Sequence, residues 1–205
     1  MLKNCRLYVI IDKALVKNRD ILKITAEALR GGADIIQLRD KLSNDEDFLR
    51  CAKAIRVITK KYNRPFIIND RAGIARTVNA DGVHLGQDDT SIEEARKIVG
   101  KKMIGVSTHN LSQAEYAQKK GADYIGIGPI FKTTTKKGAL PIGLSVLTEV
   151  HKIMAIPFFA IGNISSSNVE DVKKNGAKRV AVASSAIKAE DVYHAVKQFK
   201  AVLKK

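Results

Sequence analysis

Short apolar, β-branched runs alternate with amphipathic stretches from one end of this chain to the other. The apolar runs fall at residues 7–11, 34–39, 65–69, 82–85, 103–107, 124–128, 157–162 and 179–183. Runs this short and this apolar fit strands of a parallel sheet covered on both faces. Between them the pattern predicts helices over 20–30, 43–61, about 70–78, 91–100, 110–120, 145–154, 167–176 and 189–203. Phe48, Ala52, Ile55 and Thr59 recur at spacings of three and four, which puts them on one helix face. Val192, Ala195, Val196, Phe199, Val202 and Leu203 form a similar stripe. Ser43-Asn-Asp-Glu46 reads as a capping box, and Ser91, Asn110 and Ser167 open later helices with the same spacing.

Eight βα units in strict alternation predict one domain over residues 1–205, a closed (β/α)₈ TIM barrel of the α/β class. An open, doubly wound sheet is the alternative. An internal echo favours the barrel: Ala33, Ala80, Ala122 and Ala177 each sit in a similar stretch that joins a helix to an even-numbered strand. That echo reads as structural, on the face of the barrel that carries stability rather than chemistry.

In such barrels the active site lies where the strands end, so the residues just past each strand matter most. The second strand runs into Gln37-Leu-Arg-Asp-Lys41, the third into Asn69-Asp-Arg71, and the fourth into Gly86-Gln-Asp-Asp89. The fifth ends in Ser107-Thr-His109, the seventh in Gly162-Asn163 and the eighth in Ala183-Ser-Ser185. The sixth opens a loop with Thr133, Thr134, Thr135, Lys136 and Lys137, whose hydroxyl and ammonium groups suit an anionic ligand such as phosphate. Polar groups on one rim of otherwise apolar strands are more than a structural barrel needs.

Asp70 and Asp89 come just after neighbouring strands and could share Mg²⁺, a hard cation that takes oxygen ligands and holds substrate phosphates. A helix cap or a surface ion pair is the plainer reading of each. Mg²⁺ beside Arg39, Lys41 and Lys136 points to a diphosphate whose departing charge they disperse. The turns after strands seven and eight suit a second phosphate, bound by backbone amides. His84 reads as a packed core histidine. His109 reads either as a proton-transfer group or as a cap. Cys5 and Cys51 have neither metal-ligand spacing nor a disulfide framework, which fits a reducing cytoplasm and leaves no thiol mechanism.

The net charge of +15 suggests nucleic acid, but the cations are spread along the chain and aromatics are only 5%. A surface that attracts phosphorylated metabolites, or merely a lysine-rich proteome, explains the charge more simply, and no nucleic-acid partner is expected. No run of about 18 apolar residues predicts a membrane span. A homo-oligomer is compatible with the sequence.

The strand-end stretches Gln37-Leu-Arg-Asp-Lys41, Phe66-Ile-Ile-Asn-Asp-Arg71 and Asp81-Gly-Val-His-Leu-Gly-Gln-Asp-Asp89 resemble the thiamine-phosphate synthase family. So do Ile104-Gly-Val-Ser-Thr-His109, Gly121-Ala-Asp-Tyr-Ile-Gly-Ile-Gly-Pro-Ile-Phe131 and Thr133-Thr-Thr-Lys-Lys137, in that order. The resemblance implies a Mg²⁺-dependent transferase that joins a hydroxymethylpyrimidine diphosphate to a thiazole phosphate, releasing pyrophosphate. It implies that Gln37, Leu38, Arg39, Asp40, Lys41, Asn69, Ser107 and Lys136 hold the pyrimidine diphosphate, with Arg39, Ser107 and Lys136 catalytic. It implies Asp70 and Asp89 as metal ligands. It implies Thr133, Thr134, Thr135, Gly162, Asn163, Ala183 and Ser184 as the thiazole-phosphate site. Two positions depart from the family: Asn163 stands where a second glycine is usual, and Gly138 where an acidic residue is common. Gly138 looks more like the related thiazole tautomerases, which typically lack the metal aspartates.

Overall fold

The computed structural model describes residues 2–133 and 140–204. Its strands are β1 (Leu7–Asp12), β2 (Ile35–Arg39), β3 (Phe66–Asn69), β4 (Gly82–Leu85), β5 (Met103–Thr108), β6 (Tyr124–Ile127), β7 (Phe158–Ile161) and β8 (Val180–Val182). Each pairs in parallel with the next, and β8 returns to β1 with Val180 opposite Leu7, which closes the barrel and excludes the open sheet.

Ten α-helices are present among the described residues, two more than the sequence pattern predicts, besides a short 3-10 turn at Leu2–Asn4. The eight expected are α2 (Ile21–Gly31), α3 (Asp45–Lys61), α4 (Ala72–Thr77), α5 (Ile92–Val99), α6 (Leu111–Lys119), α7 (Ser145–Ile153), α8 (Val169–Lys174) and α10 (Val192–Lys204). The additions are α1 (Lys13–Val16) after β1 and α9 (Ser184–Ile187) after β8. Four residues are too few to show a helical period. The start of α1 is set instead by a cap, the Asp12 carboxylate accepting from the Ala14 amide.

The capping box at Ser91 forms as expected. At α3 the cap is Asn44, which accepts from the Asp47 amide, while the Ser43 hydroxyl accepts from Lys13. At α6 Asn110 caps, but Gln113 turns back to the His109 amide instead of closing the box. At α8 the cap position falls on Asn168, whose side chain accepts from Ser165, and Ser167 does not cap.

Alternation along the strands separates two cores. Leu7, Val9, Ile11, Ile36, Leu38 and Ile68 face outward and pack under the helices with the buried stripe of α3, Phe48, Ala52, Ile55 and Thr59. Tyr8, Ile10, Ile35, Ile67, Tyr124 and Phe159 fill the barrel interior, with Leu2 and Cys5 in the same cluster. Gly105 makes room for the large ring of Tyr124, because a Cβ there would lie 2.1 Å from the ring.

The internal echo has a structural role at the bottom of the barrel. Asp34, Asp81 and Asp123 each accept from the backbone N–H of a residue in the preceding strand: Leu7 (3.0 Å), Phe66 (2.8 Å) and Ile104 (2.8 Å). Each is also paired with a helix cation, respectively Lys200, Arg56 and Arg96. The fourth repeat has Lys178 in the corresponding place.

Candidate active site

The inward positions at the strand C-termini open into a cavity of about 170 Å³. Asp12, Gln37, Arg39, Asn69, His84 and Ser107 line one side. Thr133, Gly162, Asn163, Ala183 and Ser184 line the other. Of the predicted residues in β2, alternation brings Gln37 and Arg39 inward and turns Leu38 outward, where it is fully buried against the helix layer. Asp40 also departs from expectation. Its carboxylate accepts from the Leu42 and Ser43 amides, both at 3.0 Å, and pairs with Lys13 at 3.2 Å. Burial works to raise its pKa, but these bonds outweigh it and hold the group at about 2. The Leu38 side chain therefore packs under the helices and that of Asp40 shapes the loop, and neither lines the cavity. Thr134, Thr135, Lys136 and Gly138 lie outside the described residues.

Arg39 is held by Asp12, an inward carboxylate at the end of β1 that is only 2% exposed. The sequence reading missed Asp12. Its signal was an acidic residue closing an apolar strand next to the one that carries Arg39.

Lys41, Asp70 and Asp89 sit together on the rim beside Asn69. The Lys41 ammonium is 2.5 Å from Asp70 and 4.0 Å from Asp89. Asp70 is aimed by a left-handed backbone (φ 61°) and by its own N–H, which donates a hydrogen bond to the His84 carbonyl. Asp89 is aimed by the Gly86 amide, 2.7 Å away. Burial, reinforced by the neighbouring Asp89, pushes the Asp70 carboxyl up. Burial acts the same way on Asp89, but its bonds to Asp70 and the Gly86 amide and the charge of Lys41 bring it down. Two crowded carboxylates with an ammonium drawn against them form an oxygen-rich, negative spot that fits a hard divalent cation. Among the described residues no third His, Cys, Asp or Glu joins them, so other ligands would come from water and substrate.

Across the cavity the turn after β7 is built from unusual backbone. Gly162 has φ 111°, and a Cβ there would lie 2.4 Å from Pro129 Cα, so no larger residue fits. Asn163 comes next at φ 49°, in the left-handed region that asparagine tolerates. Its carbonyl accepts from the Asn168 side chain. The Ser185 hydroxyl donates to the Ile164 carbonyl (2.6 Å) and ties this turn to α9.

His84 is half-buried and stands in the polar floor of the cavity rather than in an apolar core as expected. Its Nδ1 meets the Tyr124 hydroxyl at 3.2 Å and its Nε2 the Ser107 hydroxyl at 3.0 Å. Burial pushes its pKa down to about 4, with the charge of Asp89 pulling weakly upward, so the ring is neutral near pH 7. His109 lines the cavity and directs Nδ1 at the Gly128 carbonyl, which makes that nitrogen a donor.

Comparison with known proteins shows the family. Residues 7–186 match the family described as thiamine monophosphate synthase. The chain belongs to this family. It is 44% identical over 204 residues to a thiamine-phosphate synthase of Halalkalibacterium halodurans, covering 98% of this chain and 97% of the relative. It is 43% identical over 199 residues to one from Chloroflexus aurantiacus, covering 97% and 92%. A solved thiamine phosphate pyrophosphorylase from Pyrococcus furiosus superposes with a TM-score of 0.90 at 38% identity, covering 97% of this chain and 95% of that one. Family membership thus extends over a whole barrel, from the structural echo at its base to the polar rim.

Proposed function

We propose that this chain condenses 4-amino-2-methyl-5-hydroxymethylpyrimidine diphosphate with hydroxyethylthiazole phosphate, or its carboxylated form, to give thiamine phosphate and pyrophosphate. The observation that carries the reading is the division of the cavity. Arg39 and Asn69 line one side, with the Lys41–Asp70–Asp89 cluster on the rim next to Asn69, and the left-handed turn at Gly162 and Asn163 lines the other. Two separate anion-handling regions suit two phosphorylated substrates that meet between them.

The pyrimidine ring binds over Gln37 and Ser107, with its diphosphate directed to Arg39, Asn69 and Lys41. The thiazole phosphate binds at Thr133, Gly162, Asn163, Ala183 and Ser184. Asp70 and Asp89 hold Mg²⁺, which when bound neutralises charge on the diphosphate. Departure of pyrophosphate leaves a cation at the pyrimidine methylene, and the thiazole nitrogen attacks it. Such a route needs a stabilised leaving group and held partners rather than a protein nucleophile. Arg39, braced by Asp12, supplies leaving-group stabilisation, and the small residues of the opposite turn let the second phosphate approach the backbone. In this proposal Lys136 also stabilises the leaving group, a role that rests on the sequence resemblance alone.

The test is pyrophosphate release by the purified protein given both substrates, with Mg²⁺ and with EDTA. Release that requires Mg²⁺ and the thiazole phosphate is expected. A folded protein that releases none would move the assignment to a phosphate-binding barrel of the tautomerase kind.

A further inference from the structure

Five polar side chains cross the barrel interior beneath the cavity in one unbroken line. Gln37 Nε2 donates to the Tyr8 hydroxyl at 2.8 Å. The Tyr8 and Tyr124 hydroxyls are 3.1 Å apart. Tyr124 then meets His84 Nδ1, and His84 Nε2 meets the Ser107 hydroxyl, at 3.2 and 3.0 Å. Tyr8 and Tyr124 are almost fully buried, among the barrel-filling residues. Gln37 and Ser107, the two ends of the line, and His84 line the cavity, while Tyr8 and Tyr124 do not.

Such a line has a direction. An amide nitrogen can only donate, and each phenol has one proton. Because Gln37 donates to Tyr8, the Tyr8 proton must go to Tyr124, or it would be buried without an acceptor. The Tyr124 proton then goes to His84 Nδ1. His84 must carry its proton on Nε2 and donate it to the Ser107 oxygen. The Ser107 proton is left for the cavity, and so is the Gln37 carbonyl oxygen. Burial raises both phenol pKa values, so neither phenol ionises near neutral pH and the order of donors along the line is kept.

We infer that the line Gln37–Tyr8–Tyr124–His84–Ser107 is a polarity relay that selects an amino-substituted heteroaromatic ring. It fixes an acceptor at Gln37 and a donor at Ser107. A ring with an exocyclic amino group and an unprotonated ring nitrogen satisfies both. The corresponding oxo ring, with a carbonyl in place of the amine and a proton on the ring nitrogen, sets its carbonyl against the Gln37 oxygen and leaves the Ser107 proton without its acceptor. Tyr8, Tyr124 and His84 are positioning residues, since they act through Gln37 and Ser107. The inference rests on the proposed reaction for its substrate, but the direction of the relay can be measured without it.

The experiment has two parts. In the ligand-free protein, ¹⁵N NMR of His84 should show a neutral ring protonated at Nε2. A proton on Nδ1 would reverse the line and overturn the inference, whatever the enzyme's activity. In the second part, kcat/KM is compared for the amino-pyrimidine diphosphate and its oxo analogue. The wild type should prefer the amino ring by roughly 10²-fold or more, because a polar group opposed in a buried site is costly. Tyr124→Phe, and separately Tyr8→Phe, should cut that ratio at least about tenfold with the KM for thiazole phosphate unchanged. Phe159→Leu disturbs the same packing, its ring lying 5.3 Å from Tyr8 and 5.7 Å from Tyr124, but breaks no hydrogen bond, and should keep the ratio. An unchanged ratio in both phenylalanine variants would overturn the inference. A wild type inactive on the amino ring would overturn the proposed reaction and leave the NMR result to decide the relay.

Discussion

The Gly86 amide lies 2.7 Å from the Asp89 carboxylate, and a Cβ added at Gly86 would stand equally close to the same oxygen. Asp89 can reach its position only because that residue has no side chain. Gly86→Ala should therefore push the carboxylate aside with little effect on folding. The Mg²⁺ concentration needed for half-maximal pyrophosphate release should rise about tenfold, as for loss of alignment in one ligand. Asp89→Ala should lower turnover by orders of magnitude with an unchanged melting temperature. Full activity in Asp89→Ala would remove the carboxylate pair from the site.

Asp12 does for Arg39 what Gly86 does for Asp89. Asp12→Asn keeps an oxygen to cap α1 but removes the charge that holds the guanidinium. Steady-state kinetics should show kcat/KM for the diphosphate substrate down by about 10- to 100-fold, the scale on which a misplaced clamp acts. The KM for thiazole phosphate should stay near the wild-type value.

The backbone at residue 163 is left-handed, and the two obvious substitutions should separate. Asn163→Gly should preserve activity and bind thiazole phosphate at least as tightly, since glycine takes this conformation without strain. Asn163→Val should lose about 1–2 kcal/mol of stability in denaturant unfolding, the cost of a left-handed conformation for a residue with a branched Cβ. A large loss of activity in Asn163→Gly would reveal a role for the amide side chain.

Asp40 makes acid stability measurable at one residue. Its folded-state pKa of about 2 lies below the ordinary carboxylate range, so its contribution is complete above about pH 4 and is lost as pH falls towards 2. Asp40→Asn should melt a few degrees below wild type at neutral pH, and the gap should close near pH 2. Turnover at saturating substrate should change little, because the carboxylate faces loop amides.

The strand and helix frame was legible because short buried strands and striped helices leave different periods in the sequence. The rim was legible for a related reason: a polar residue directly after an apolar strand, as at Arg39, Asn69 and Ser107, has few places to point in a closed barrel. What escaped the sequence depends on partners distant along the chain. Asp12 looks like an ordinary strand end until β2 brings Arg39 beside it. His84, Tyr8 and Tyr124 look like core residues until closure of the ring aligns their polar atoms. Leu38 and Asp40 were placed in the site because a contiguous motif was read as one surface, although alternation sends neighbours to opposite sides. The short helices α1 and α9 are fixed by local contacts rather than by any repeat.

The aspartates at the base stitch the ring at three of its four odd–even seams, β1 to β2, β3 to β4 and β5 to β6. The seam from β7 to β8 has Lys178 where the fourth stitch would be, and its register joins only Ala160 to Val180 and Ile161 to Ala181. In native-state hydrogen exchange this should be where the hoop first springs open. The turns assigned to the thiazole phosphate crown the same seam, Gly162 and Asn163 above β7, Ala183 and Ser184 above β8. An anion bridging them would act as the missing clasp, so that the ligand which reacts last is also the one that locks the ring shut.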